Sequence, residues 1–235
     1  MREKRKGKLT GCRWLFTPRG CAVLYVPFTN HHLFTTALPT SHGYSYPSQR
    51  SAKSPTEYFT ELFSNGSTLD VTPYLTIPEA LRFRTEFCGG EAAIREYCAR
   101  LAREAGDMVA TSLRTEVLDN KSGSLREGCA FANVRLPITV IPERIPEGIS
   151  SEDEDEDNSE GVAVNELPQM LSWFYHVAAQ DFDTYLQTFY YAGAIWVRFS
   201  AQVYLDSKDF VWAAGTIKEL CVRVKSGEWR GWEGT

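Results

Sequence analysis

Cys12-Arg13-Trp14-Leu15-Phe16-Thr17-Pro18-Arg19-Gly20-Cys21-Ala22-Val23-Leu24-Tyr25-Val26 closes on an uninterrupted apolar run, Cys21 to Val26, set between Gly20 and Pro27. A short apolar run between two chain breakers has the pattern of a strand buried on both faces of a parallel sheet. Such a strand requires helices on both faces of its sheet. With the elements that follow it, in the order strand, long helix, strands, helix, strand, helix, it predicts a mixed α/β chain with a small α+β domain at its end.

Downstream of this strand, residues 28–70 are rich in Thr, Ser, Pro and Gly, with one short amphipathic piece from Glu57 to Phe63. Irregular stretches of that length usually carry function. Helical signals begin at Thr76, where Pro78 suits a first turn. They pause at Gly89-Gly90 and resume at Glu91. Ile94, Tyr97, Cys98, Leu101, Ala105, Met108, Val109 and Leu113 then recur at steps of three and four, one face of a long helix. Phe131 to Leu136 has the pattern of a strand stopped by Pro137. Residues 168–179 predict a helix with Leu171, Phe174, Tyr175 and Ala178 on one side. Ala194 to Ser200 predicts another strand. Ser207 is expected to cap a last helix whose inner face is Phe210, Ala214, Ile217, Cys221 and Val224.

With 235 residues, 43% hydrophobic and 13% aromatic, the chain can bury a core. A net charge of -5 and a pI near 5.5 argue against nucleic-acid binding through a basic surface. No apolar run is long enough to span a bilayer, and the basic start, Arg2 to Lys8, leads into no signal-peptide core. A cytoplasmic location is expected. The block Glu152-Asp153-Glu154-Asp155-Glu156-Asp157 cannot bury itself and predicts a disordered insertion near 150–160. It also lacks the glycine-centred spacing of a calcium loop. Cys12, Cys21, Cys88, Cys98, Cys129 and Cys221 show no Cys-x-x-Cys spacing, so no metal site is expected and the thiols fit buried small hydrophobes. His31, His32, His42 and His176 are each read as structural.

The stretch from Cys12 to Val26 resembles the segment His-Lys-Trp-Leu-Phe-x-Pro-Arg-Gly-Cys-Ala-Val-Leu-Tyr-Val of class V aminotransferases, in which the lysine holds pyridoxal phosphate as a Schiff base. In this chain Arg13 occupies the Schiff-base lysine position. A lysine can shed its proton to attack an aldehyde, whereas a guanidinium stays charged and offers no nucleophilic nitrogen. The resemblance continues through Ser64-Asn65-Gly66-Ser67-Thr68-Leu69-Asp70-Val71-Thr72-Pro73-Tyr74-Leu75, similar to the family loop Gly-Thr-x-Asp-x-Ser-Pro-Tyr. It implies that Thr68 is the threonine reaching the cofactor phosphate of a neighbouring subunit, although Ser67 stands where the family has glycine. Ala132-Asn133-Val134-Arg135-Leu136-Pro137 is similar to a structural strand of the family's small domain. Ile195-Trp196-Val197-Arg198-Phe199-Ser200-Ala201-Gln202-Val203-Tyr204 resembles the strand whose arginine, here Arg198, holds the substrate carboxylate.

The chain is thereby identified as resembling the carboxy-terminal portion of a fold-type-I enzyme. The branch is the one that holds isopenicillin N epimerase-like and hercynylcysteine sulfoxide lyase-like proteins. The resemblance implies an α/β fold: a remnant of the large parallel-sheet domain over 11–87 and an α+β small domain over 88–235, after a disordered terminus, 1–10. It implies pyridoxal phosphate as the cofactor. Amino-group transfer, epimerisation and C–S lyase chemistry on a small amino acid are the activities implied. In the family, the phosphate cradle, the ring-stacking aromatic and the aspartate paired with the pyridine nitrogen precede the lysine, and residues 1–12 match none of them. The histidine before the lysine is replaced by Cys12. A truncated, catalytically dead relative is therefore expected, as a homo-oligomer or in a mixed dimer with a full-length relative.

Overall fold

A computed structural model of the chain describes residues 7–10, 14–34, 46–64, 70–141 and 161–233. The chain divides into two compact units, Met1–Gly90 and Glu91–Thr235. Both strands and helices are present throughout, so the mixed α/β composition expected from the sequence is what the chain forms.

In the first unit, β1 (Gly7–Thr10) pairs antiparallel with β2 (Ala22–Tyr25), Leu9 opposite Val23. This corrects two expectations. Residues 7–10 lie in the stretch read as a disordered terminus, yet they form a strand. The apolar run at Cys21 to Val26 is not buried on both faces of a parallel sheet: Cys21 and Val26 are buried at its ends, while Leu24 and Tyr25 are 42% and 66% exposed. The physical reason is local. Strand β2 has one hydrogen-bonded neighbour among the described residues, and apolar composition marks a strand that can be covered without supplying the cover. Before it, Gly20 takes the left-handed φ of +86° that turns the chain into the strand. After it, a 3-10 turn (Phe28–Leu33) buries His31, whose Nε2 donates to the Val26 carbonyl at 3.0 Å. The His31 ring stacks on Phe59 at 4.1 Å between centroids. That fixes Phe59 of α1 (Pro55–Ser64) against the turn. Helices α2 (Thr72–Leu75) and α3 (Ile77–Glu86) follow, each with proline in its first turn. Arg84 of α3 is buried, donates to the Trp14 carbonyl and lies over the Phe16 ring.

The second unit is built on α4 (Gly90–Leu113), β3 (Phe131–Arg135), β4 (Val140–Ile141), β5 (Val162–Ala163), α5 (Leu167–Phe182), β6 (Gln187–Tyr191), β7 (Ala194–Ser200) and α6 (Ser207–Lys225). Its main sheet runs β3-β7-β6 and is wholly antiparallel, with Val134 and Thr188 both opposite Val197. A two-residue turn joins β6 to β7, and Ala192 and Gly193 both have positive φ (50° and 78°), the backbone that matches strand twist in tight hairpins. One face of the sheet meets all three long helices. Ala132 lies under Gly106 of α4, Thr188 is bonded through its backbone to the Tyr175 hydroxyl of α5, and Phe199 packs edge-on against Phe210 of α6.

The long helix α4 buries Ile94, Cys98, Leu101, Ala105, Val109 and Leu113 as its periodicity predicts, with Tyr97 and Met108 at the margin. Helix α5 is rotated from expectation: Met170, Trp173 and Val177 join Phe174 and Ala178 inside, while Leu171 and Tyr175 are half-buried. The cap of α6 is also one residue earlier than expected. Asp206 accepts from the Lys208 backbone N–H at 2.7 Å and Asp209 accepts from that of Asp206 at 2.8 Å, so Ser207 is the first helical residue. A carboxylate at that end also complements the helix dipole, which a serine hydroxyl does less well. The acidic block 152–157 lies outside the described residues.

Candidate functional site

The face of the β3-β7-β6 sheet turned away from the helices carries Phe131, Asn133 and Arg135 from β3, Trp196, Arg198 and Ser200 from β7, and Gln187, Phe189 and Tyr191 from β6. Alternation along a strand puts every second residue on one face, so these nine form one surface. Arg198 is at its centre and is exposed. Directly across from it stand Asn133 on one side and Gln187 on the other, both uncharged.

Two arginines share this face and differ in their partners. Arg135 donates to the Glu116 carboxylate at 3.1 Å. Arg198 has no carboxylate within ion-pair distance among the described residues. Its guanidinium lies instead over two aromatic rings, 5.8 Å from the Phe131 centroid and 5.6 Å from that of Phe189. Nearby, the Asn133 Oδ1 is buried without a hydrogen-bond partner. The Trp196 indole N–H donates to the Tyr191 carbonyl at 2.9 Å, which fixes the hairpin end beside Arg198. A guanidinium with unclaimed donors on a neutral surface can take a carboxylate in a planar, two-pronged contact.

Of the three positions singled out by the sequence, Arg198 is thus in the described structure and at the middle of a sheet. Arg13 and Thr68 lie outside the described residues. Just beyond Arg13, Phe16 adopts a left-handed φ of 64°, and Thr17 is buried with its hydroxyl unpartnered. Phe131 and Phe189 were missed by the sequence reading. Finding them required β6, and Gln-Thr-Phe-Tyr-Tyr offers aromatic residues but no apolar alternation that marks a strand of known register.

Among the described residues, the face around Arg198 carries no lysine that could hold pyridoxal phosphate covalently, and position 13 is an arginine. No step of chemistry through that group follows from these side chains. Among the described residues, no helix is long and apolar enough to cross a membrane, and Cys21, Cys88, Cys98, Cys129 and Cys221 form no disulfide.

No family model matches the chain. Curated relatives do. The L-cysteine desulfhydrase-like protein lolT1 of Epichloe uncinata is 37% identical over 238 residues, covering 92% of this chain and 50% of the relative. The lolT2 protein of the same organism is also 37% identical, with 48% of its length covered. Hercynylcysteine sulfoxide lyase of Schizosaccharomyces pombe is 29% identical over 209 residues, covering 89% of this chain and 44% of the lyase. Among solved structures, Oryza sativa TDC with PLP and tryptamine aligns with a TM-score of 0.46 at 15% identity, over 93% of this chain and 39% of that one. The chain spans about half the length of the curated relatives it matches. Over nine-tenths of its own length it is similar to L-cysteine desulfhydrase-like proteins, and over nearly as much to a hercynylcysteine sulfoxide lyase.

Proposed function

We propose that this chain corresponds to the carboxy-terminal portion of a class V, pyridoxal-phosphate-type C–S lyase. It keeps the arginine that receives an amino-acid carboxylate and has lost the amine that would hold the cofactor. The observation that carries the reading is Arg198: an exposed guanidinium at the centre of a sheet, with no carboxylate among the described residues to neutralise it. Similarity to L-cysteine desulfhydrase-like proteins supports a small sulfur amino acid as the ligand class. Arg13 supports catalytic silence, because a guanidinium cannot condense with an aldehyde. Two measurements test the pair of claims. Titrating L-cysteine into the isotope-labelled chain should shift the Arg198 side-chain resonance, and Arg198→Ala should abolish the binding. Borohydride reduction after mixing with pyridoxal phosphate should leave only scattered, substoichiometric labelling of lysines. A stoichiometric reducible adduct at one lysine overturns the silence, and unchanged affinity in Arg198→Ala overturns the carboxylate role.

A second reading is favoured by a different observation. Leu24, Tyr25 and Phe28 around β2 are 42%, 66% and 78% exposed, an apolar surface without cover. In this reading the chain is a non-catalytic partner of a full-length relative, and Thr68 is offered to the partner's cofactor phosphate. Co-purification with a full-length relative, lost on Tyr25→Lys, distinguishes it from a solitary chain.

A further inference from the structure

We infer that Phe131 and Phe189 are positioning residues that clamp the Arg198 guanidinium from two strands and present its donor edge to a carboxylate. The inference rests on the reading of Arg198 as the carboxylate receptor, and it names what that receptor needs. Long side chains on an exposed sheet face sample many rotamers, and binding must then fix them. The register shows how this cost is lowered. Phe131 stands opposite Ser200 and Phe189 opposite Trp196, so the rings are diagonal neighbours of Arg198 on opposite sides, one towards each end of β7. Both rings are half-buried, and both centroids lie within the distance at which a guanidinium is attracted to an aromatic face. A swing along the strand in either direction therefore leaves one ring. Residues directly opposite, Asn133 and Gln187, are neutral, so neither competes for the donors as an ion-pair partner. On the same face Arg135 is instead paired with a carboxylate, that of Glu116.

Clamping is separable from ligand binding. In the ligand-free full chain, rotation of the Arg198 guanidinium about its Nε–Cζ bond should be slow by nitrogen-detected NMR. In Phe131→Leu/Phe189→Leu, which keeps apolar bulk and removes the ring faces, rotation should become fast and the L-cysteine affinity should fall about fivefold. Phe131→Tyr/Phe189→Tyr keeps the rings and should behave as the unaltered chain. Fast rotation in the unaltered chain, or equal rotation in the leucine and tyrosine pairs, overturns the clamp. If the leucine pair does not fold, Phe189→Leu alone gives the same readout at the less buried edge strand. Slow rotation with no L-cysteine binding upholds the clamp while refuting the ligand assigned to Arg198, so the two failures are distinct.

Discussion

At the scale of single residues, one side chain can decide what chemistry a position supports. In the proposed correspondence Arg13 stands where the family has a lysine, and a guanidinium there exchanges a nucleophile for a permanent cation. Arg198 was singled out because Ile195 to Tyr204 resemble a known strand, and the strand is where that resemblance put it. The aromatic flank of Arg198 was not legible, because two phenylalanines on either side of a guanidinium are joined by register and not by sequence distance. Cysteine offers a case where burial outweighs a nearby charge. Cys221 lies inside α6, and desolvation, stronger than the attraction of nearby Lys225, pushes its thiol from an ordinary 9.0 up to about 12. The sign follows from proton binding: between pH 9 and 12 the unfolded chain releases this proton while the folded chain keeps it. Folding stability therefore falls as pH rises through that window, by up to about 1.4 kcal/mol per pH unit from this one group. Urea midpoints collected from pH 8 upward should decline more steeply in the unaltered chain than in Cys221→Ala. Parallel curves would show that the thiol titrates alike in both states.

At the scale of elements, periodicity read well where one face of a helix or strand meets a core. The long helix α4 and strand β7 both sit where the apolar spacing put them. Helix α5 was misjudged because Trp173 and Met170 were available as alternatives to Leu171 and Tyr175, and an aromatic-rich helix has two plausible faces. Tyr175 instead uses its hydroxyl on the Thr188 backbone, a role that no hydropathy pattern contains. Contact between α4 and β3 sets a further constraint. A Cβ added at Gly106 would stand 2.8 Å from the Ala132 Cβ, closer than two carbons tolerate, with no flexible side-chain end to move aside. Helix propensity favours alanine there by about 1 kcal/mol, but overpacking in a closed interior costs roughly 1–3 kcal/mol. Gly106→Ala should therefore destabilise the chain, or at best leave it unchanged, although the same change on an exposed helix face stabilises. Chemical denaturation of the variant decides it, and a clear rise in midpoint would mean that helix and strand separate without penalty.

At the scale of the whole molecule, the two units differ in how much apolar surface each removes from water. Among the described residues of Met1–Gly90, the buried apolar side chains are Cys21, Val26, Tyr58, Leu62 and Ala80, while Glu91–Thr235 buries three helices against a sheet. Small cores stabilise weakly, so the first unit has little margin to hold an exposed strand in place. Leu24, Tyr25, Phe28 and Leu33 present their side chains to solvent there, and β2 has a backbone edge without a described partner. An uncovered apolar edge strand recruits another strand. The isolated chain should accordingly run as an oligomer in size-exclusion chromatography with light scattering. Tyr25→Lys combined with Phe28→Glu, which places charge on the same surface, should shift it toward monomer without lowering the melting transition of the second unit. Hydrogen exchange adds an independent arm: protection at residues 22–25 should rise with protein concentration, since the amides on the edge facing away from β1 gain partners only on association. A dispersed monomer whose β2 amides are protected equally at low and high concentration would show that the strand is satisfied within one chain. It would remove the support for a partner.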